Sequence, residues 1–168
     1  MANAPSANRD HGKGETTMHD ASTLHQSTLR IPALNEGVAK PVDAARHFEE
    51  LLSFETDCWD VHDALRRRQE GFVVLDVRSP ALFAAGHVPG AVNLPRGKIV
   101  ERTLQSYPAD ILFVVYCNGP HCNGADKAAL ALARLGRRVK KMIGGIEGWK
   151  DDGLGLEAGD ALKRAAHV

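Results

Sequence analysis

Ile111-Leu112-Phe113-Val114-Val115-Tyr116 runs straight into Cys117, and Asn118-Gly119-Pro120-His121-Cys122-Asn123-Gly124 follows. Six consecutive apolar or aromatic residues, five of them β-branched or aromatic, are too short for a free-standing helix and read as a strand buried on both faces. The next segment is rich in Gly, Pro and Asn and reads as a loop. Ala125 to Leu135 then places Ala128, Leu132 and Leu135 on one helical face, and Gly136 closes the helix. The order is therefore strand, cysteine, loop, helix.

The same alternation extends in both directions. Upstream, Phe72-Val73-Val74-Leu75-Asp76-Val77 is a second dense apolar run, with Ser79 as N-cap and Pro80 at the first position of a helix that ends near Gly86. Pro89-Gly90 marks a turn, and Ala91 to Leu94 reads as a short strand. Gly97 to Tyr107 is a helical or loop stretch. Downstream, Val139 to Ile143 is another strand, and Gly144-Gly145 leads into a short helix holding Trp149. Strands alternating with helices imply a parallel α/β sheet. No internal repeat is found.

The N-terminal third is different. Residues 1–28 are small and polar without periodicity, and are expected to be a disordered tail. His11, His19 and His25 are too dispersed for a metal cluster. Order is expected to begin near Ile31-Pro32. Pro41-Val42-Asp43 opens a helix with Ala44, Phe48, Leu51 and Leu52 on one face, and Thr56 is the expected N-cap of a second helix running through Trp59, His62 and Leu65 to Gly71. The domain reading is a tail over 1–28, a helical extension over 29–57, one α/β domain over 58–154 and a C-terminal tail over 155–168 that ends as a frayed helix.

The composition bounds the function. The chain has 168 residues, 21 Lys plus Arg and 21 Asp plus Glu, so its formal net charge is zero. Nucleic-acid binding calls for a clustered basic excess, and Arg66-Arg67-Arg68 alone reads as a solvated helix face. No apolar run approaches the roughly 18 residues of a membrane span, and no secretory signal is read at the N-terminus. Three cysteines do not suit a disulfide framework, so free thiols in a reducing cytoplasm are expected. No cofactor is called for. Neither nucleic acid nor membrane is an expected partner.

Chemistry is expected where ligands collect in open α/β sheets, beyond the C-terminal ends of strands, and Cys117 falls there. A helix starting near Asn123 or Gly124 would aim its free N–H groups and dipole into the loop, and such a cradle lowers a thiol from its ordinary pKa of about 8.5. Gly119 and Gly124 let the backbone turn those amides inward. Cys117 is thus the candidate nucleophile, and Asn118, Gly119, Pro120, His121, Cys122, Asn123 and Gly124 the candidate binding loop. A small buried hydrophobe is the competing role for any free cysteine.

Four segments together resemble the rhodanese family. Asp76-Val77-Arg78-Ser79 is similar to its first signature, and Gly86-His87-Val88-Pro89-Gly90-Ala91-Val92-Asn93-Leu94-Pro95 to its second. Val115-Tyr116-Cys117 with its loop resembles the catalytic segment, and Gly144-Gly145-Ile146-Glu147-Gly148-Trp149 the closing motif. The resemblance covers about residues 58–154. It implies a three-layer α/β fold, with a central parallel sheet and helices on both faces. It also implies sulfur transfer through a persulfide on Cys117, with a small-molecule sulfur donor and a thiol acceptor as the expected partners, and it brings Asp76 and Arg78 near the catalytic loop. Arg78 is read either as a support for loop or substrate, or as half of a structural ion pair.

The loop departs from the family's common Cys-x-x-Gly-x-Arg-Ser. It looks about two residues longer, lacks the arginine, and resembles a subgroup with a Cys-x-Gly-Pro-x-Cys loop. Losing the arginine removes a bidentate oxyanion clamp. In length alone the loop resembles those of dual-specificity phosphatases and related arsenate reductases, but Asn123 stands where those enzymes need arginine. Cys122 is read as either a redox partner of Cys117 or a packing residue. A metal at Cys117, His121 and Cys122 is disfavoured because ligands within one short loop lack the spacing of zinc sites. Cys58 and Trp149 are expected in packing roles, and His87 and His121 are open between tuning and bland roles. A non-catalytic sensing or partner-binding module is the alternative to the enzyme, with arsenate reduction or phosphatase-like hydrolysis a third reading.

Overall fold

The computed structural model describes residues 37–159. The chain divides into two compact units, 1–40 and 41–168. Of the first, only 37–40 are described, and they form a turn and an irregular segment. The expectations for the 1–28 tail, for Ile31-Pro32 and for a helix beyond Gly159 lie outside the described residues.

In the second unit the elements are α1 (Pro41–Phe54), β1 (Glu55–Thr56), α2 (Cys58–Arg66), β2 (Phe72–Asp76), α3 (Pro80–Ala85), β3 (Val92–Asn93), a 3-10 turn (Arg96–Lys98), α4 (Glu101–Leu104), β4 (Leu112–Tyr116), α5 (Gly124–Arg134), β5 (Arg138–Met142) and α6 (Gly145–Asp151). The five strands form one sheet in the order β1-β5-β4-β2-β3, and every pairing is parallel. Val74 sits opposite Val114, and Val114 opposite Lys140.

The alternation of β4 splits the core in two. Val114 and Tyr116 point to a cluster with Val61, Phe83, Ile146 and Trp149, supplied by α2, α3 and α6. Phe113, Val115 and Cys117 point to the other face, against Leu104, Ala125, Ala128 and Leu132 from α4 and α5. The expected three layers follow from this division. Trp149 is the plug of the first face, wholly buried, with its indole N–H donating to Gly155 O at 2.8 Å.

Local signals hold at α3, where the Ser79 side chain accepts from Leu82 N–H and Pro80 occupies the first turn. They fail at α2. Its N-cap is Asp57, which accepts from Asp60 N–H at 2.8 Å, while Thr56 belongs to β1 and pairs with Met142. A two-residue strand has no periodicity to read, so β1 is visible only through its partner β5. It nevertheless adds Glu55 and Thr56, from the stretch read as an extension, to the sheet. Likewise Glu157, read as tail, pairs with His87 in an antiparallel bridge.

Helix α1 has the expected amphipathic pattern, yet no residue of it is buried, and Phe48 and Leu52 stay 57% and 68% exposed. Periodicity told which face is apolar but not whether anything covers it.

Asp76 and Arg78 form a buried pair. The Arg78 side chain reaches both carboxylate oxygens and donates to Gly86 O, and the Tyr116 hydroxyl donates to Asp76 Oδ2 at 2.7 Å. Burial, then the Asp76 carboxylate, holds the Tyr116 phenol far above its ordinary range, so it stays a donor. Removing one partner of such a pair strands a buried charge, at a cost of about 3–5 kcal/mol. Asp76→Ala should lose stability of that order in urea unfolding, whereas Asp63→Ala, which breaks exposed pairs to Arg66 and Arg67, should leave the midpoint nearly unchanged.

Candidate active site

Cys117 follows the last residue of β4 and is 8% exposed. Its carbonyl accepts from Ile146 N–H at 3.0 Å, and the Asn118 carbonyl accepts from Glu147 N–H at 2.8 Å. The start of the loop is therefore seated on the first turn of α6. That approach requires glycine. Gly145 has φ +60°, and a Cβ there would lie 2.6 Å from Cys117 O. Cys122 N–H donates to Gly119 O at 3.0 Å and folds the loop back on itself. At the start of α5, a Cβ on Gly124 would meet Cys117 Sγ at 2.6 Å.

The loop borders a pocket of about 190 Å³. Cys117, Gly119, Pro120 and Cys122 line it from one side, and the end of β5 with the following glycines from the other. Asn118, His121 and Asn123 are exposed and outside the lining, and Gly124 sits behind the two sulfurs. Sequence reasoning missed Lys141 and Asp126, which also line it. Lys141 Nζ is 2.7 Å from Glu55 Oε1 and 2.9 Å from Asp126 Oδ1. Only the pairing of β1 with β5 brings Glu55 there, so no local signal marks the trio. The Gly144-Gly145 pair was visible in the sequence as a motif, but its place in the pocket lining was not.

The thiols differ in a way that corrects the sequence expectation. Cys117 is not lowered. Burial, then the Cys122 side chain, pushes it up to about 11, against the opposing pull of the Asn118 N–H. Cys122 is the lowered thiol, through hydrogen bonding with Cys117 and then the N–H of Gly124. Cys117 belongs to the apolar cluster under α5, so desolvation dominates there. Cys122 is only half-buried and collects the amides at the helix start.

Other candidates fall into packing roles. Asp76 and Arg78 do not line the pocket; they brace the strand ends beneath it. His87 is buried, stacked on Phe83 with ring centroids 3.7 Å apart. Cys58 is buried, directs its thiol at Ile143 O and Gly145 O, and is pushed up to about 11 by burial. Among the described residues no group of three or more His, Cys, Asp or Glu is placed to hold a metal ion, and no helix is long and apolar enough to cross a membrane.

With this fold and this cysteine loop, the comparisons with known proteins agree. The model of the rhodanese-like domain matches residues 60–152, and the chain belongs to that family. It is 34% identical over 137 residues to the HTH-type transcriptional regulator Rv0324 of Mycobacterium tuberculosis, covering 80% of this chain and 60% of the regulator, less than two thirds of its length. It is 35% identical over 88 residues to the thiosulfate sulfurtransferase GlpE of Pseudomonas entomophila, covering 52% of this chain and 78% of that protein. Among solved structures, the BH2092 protein of Bacillus halodurans is similar with a TM-score of 0.69 and 40% identity, over 71% of this chain and 87% of that one.

Two outcomes follow from the geometry. Alkylation depends on the thiolate, so its rate rises as pH passes the pKa of each thiol. Peptide mapping after brief iodoacetamide treatment should find Cys122 labelled first, below pH 9, with Cys117 and Cys58 gaining label only as pH nears 11. Gly145→Ala, which adds a clash to a left-handed backbone, should lower the thermal midpoint and change the rate at which Cys117 is labelled.

Proposed function

We propose that this protein is a sulfurtransferase that carries sulfane sulfur as a persulfide on Cys117 and passes it to a thiol or to cyanide. The observation that carries this reading is the placement of Cys117. It stands at a strand end, at the edge of a pocket of about 190 Å³, with a backbone amide at its sulfur and a helix start beneath it. That space suits a sulfur atom or a small donor. The similarity to GlpE supports the same chemistry. We assign the loop to the Cys-x-Gly-Pro-x-Cys subgroup of the family, and a reducing compartment such as the cytoplasm suits its free thiols.

The donor preference follows from charge. Among the described residues no arginine lines the pocket, and the one lysine that does, Lys141, already faces two carboxylates. A dianion such as thiosulfate meets Asp126 as well as Lys141 there. Persulfide or polysulfide donors, with less charge to accommodate, are the better substrates. Asn123 stands outside the lining, which weighs against a phosphatase-like or arsenate-reducing site.

The similarity to a transcriptional regulator favours a second reading, a module that senses reactive sulfur and does not turn over. Intact mass after incubation with thiosulfate, a polysulfide and glutathione persulfide, followed by a thiol or cyanide acceptor, separates the two. Transfer predicts a gain of one sulfur atom that the acceptor removes over repeated cycles, slowest with thiosulfate. Sensing predicts modification without turnover. Cys117→Ser should abolish the sulfur gain with an unchanged thermal midpoint, and wild-type transfer by that variant refutes the assignment.

A further inference from the structure

Sulfur carriage needs one thiol, and this loop holds two. Both sulfurs turn toward the first residue of α5. A Cβ on Gly124 would lie 2.6 Å from Cys117 Sγ and 3.3 Å from Cys122 Sγ, so glycine there leaves room for both. The Cys122–Gly119 turn brings the second thiol back over the first, and both border the same pocket. Each faces the other closely enough to shift its ionisation by hydrogen bonding. Cys58 shows what a packing cysteine looks like in this fold. It is 3% exposed, it points at carbonyl oxygens that favour the protonated thiol, and it is absent from the pocket. Cys122 is the opposite in each respect. It is half-buried, it lines the pocket, and the N–H groups of Gly124 and Asn118 favour its thiolate.

We propose that Cys117 and Cys122 form a dithiol centre that reduces the sulfane sulfur of persulfides and polysulfides to hydrogen sulfide. The proposal rests on the persulfide reading of Cys117 and extends it. In the first step Cys117 attacks the terminal sulfur of a persulfide R–S–SH. The Cys117 S–S bond forms, the donor S–S bond breaks, and R–S⁻ leaves to be protonated by the proton that Cys117 gives up. Cys122 is placed to relay that proton. In the second step the Cys122 thiolate attacks Sγ of Cys117. The Sγ–Sγ bond forms, the bond from Cys117 to the sulfane sulfur breaks, and the electron pair of that bond leaves with the sulfur as hydrosulfide. The sulfane sulfur gains two electrons, and the two cysteines lose two as a disulfide. An external thiol or dithiol then restores both thiols by exchange and closes the cycle. A thiolate tethered five residues away attacks without the loss of translational freedom that an external thiol incurs.

The test uses the full chain, fully reduced and free of oxygen, with one equivalent of glutathione persulfide. Reactions are stopped with an alkylating agent and followed by released sulfide, intact mass and disulfide mapping. Wild type should release close to one equivalent of sulfide and yield a Cys117–Cys122 disulfide, with little persulfide accumulating. Cys122→Ser and Cys122→Ala should hold the persulfide on Cys117 about ten-fold longer or more, with sulfide release slowed to match. Equal persulfide lifetimes and equal sulfide release in wild type and both variants overturn the dithiol centre while leaving sulfur carriage on Cys117 standing. A disulfide that joins Cys58 in place of Cys122 overturns it in the same way. No sulfur gained on Cys117 in any form of the protein overturns both readings. The disulfide map of the wild type decides the matter even if a Cys122 variant folds poorly.

Discussion

The Asp76 carboxylate holds together the end of the sheet that carries the Cys117 loop. It sits at the C-terminal end of β2, wholly buried, and accepts from the Arg78 backbone N–H, the Arg78 guanidinium and the Tyr116 hydroxyl. Each partner passes the constraint on. Arg78 ties down the end of α3 through Gly86 O, and the Tyr116 hydroxyl accepts from Val88 N–H at 3.1 Å. Asn93 donates to the backbone carbonyls of Asp76 and Arg78 and adds β3 to the cluster. Tyr116 immediately precedes Cys117, so Cys117 inherits its position from a network of hydrogen bonds in which it takes no part. A buried ion pair is costly to desolvate and stabilises a fold only when its lone pairs and protons are satisfied, as they are here.

Above that base, the loop is fixed by α6, which packs on the same face of the sheet as Tyr116. The carbonyls of Cys117 and Asn118 accept from the first amides of α6, at the closest approach that Gly145 permits. Carbonyls pinned this way leave the thiol, not the backbone, facing the pocket. The two thiols then separate by environment. Cys117 is stacked into the apolar layer under α5 and resists ionisation, and Cys122, at the rim, ionises more readily. A pair divided like this gives the more easily ionised thiol, Cys122, to the attack on sulfur carried by Cys117 in the proposed resolving step.

Much of this was legible in the chain. The apolar runs of β2 and β4, the Ser79-Pro80 start of α3, the loop glycines and the four ordered motifs each encode their structure within a few residues. The parallel α/β class, the position of Cys117 and the packing roles of Trp149 and Cys58 could therefore be read. Asp57, not Thr56, caps α2 because Thr56 is engaged by β5, a partner more than eighty residues away. Lys141 and Asp126 escaped notice for the same reason, since side chains distant in sequence meet only once β1 has docked at the sheet edge.

The chain by itself thus determined the class of fold and the place of Cys117 at a strand end, because short-range pattern, turn chemistry and ordered motifs need no long-range information. Only the tertiary structure decided which sulfur ionises first. A helix N-terminus and a cysteine can both be recognised in a sequence, but the balance between burial and amide donation depends on which thiol lies inside the apolar layer and which lies at its edge. That balance placed the raised pKa on Cys117 and the lowered one on Cys122, the reverse of what the loop alone suggested. It likewise decided that the apolar face of α1 lies open among the described residues, because periodicity defines a face and only packing can cover it.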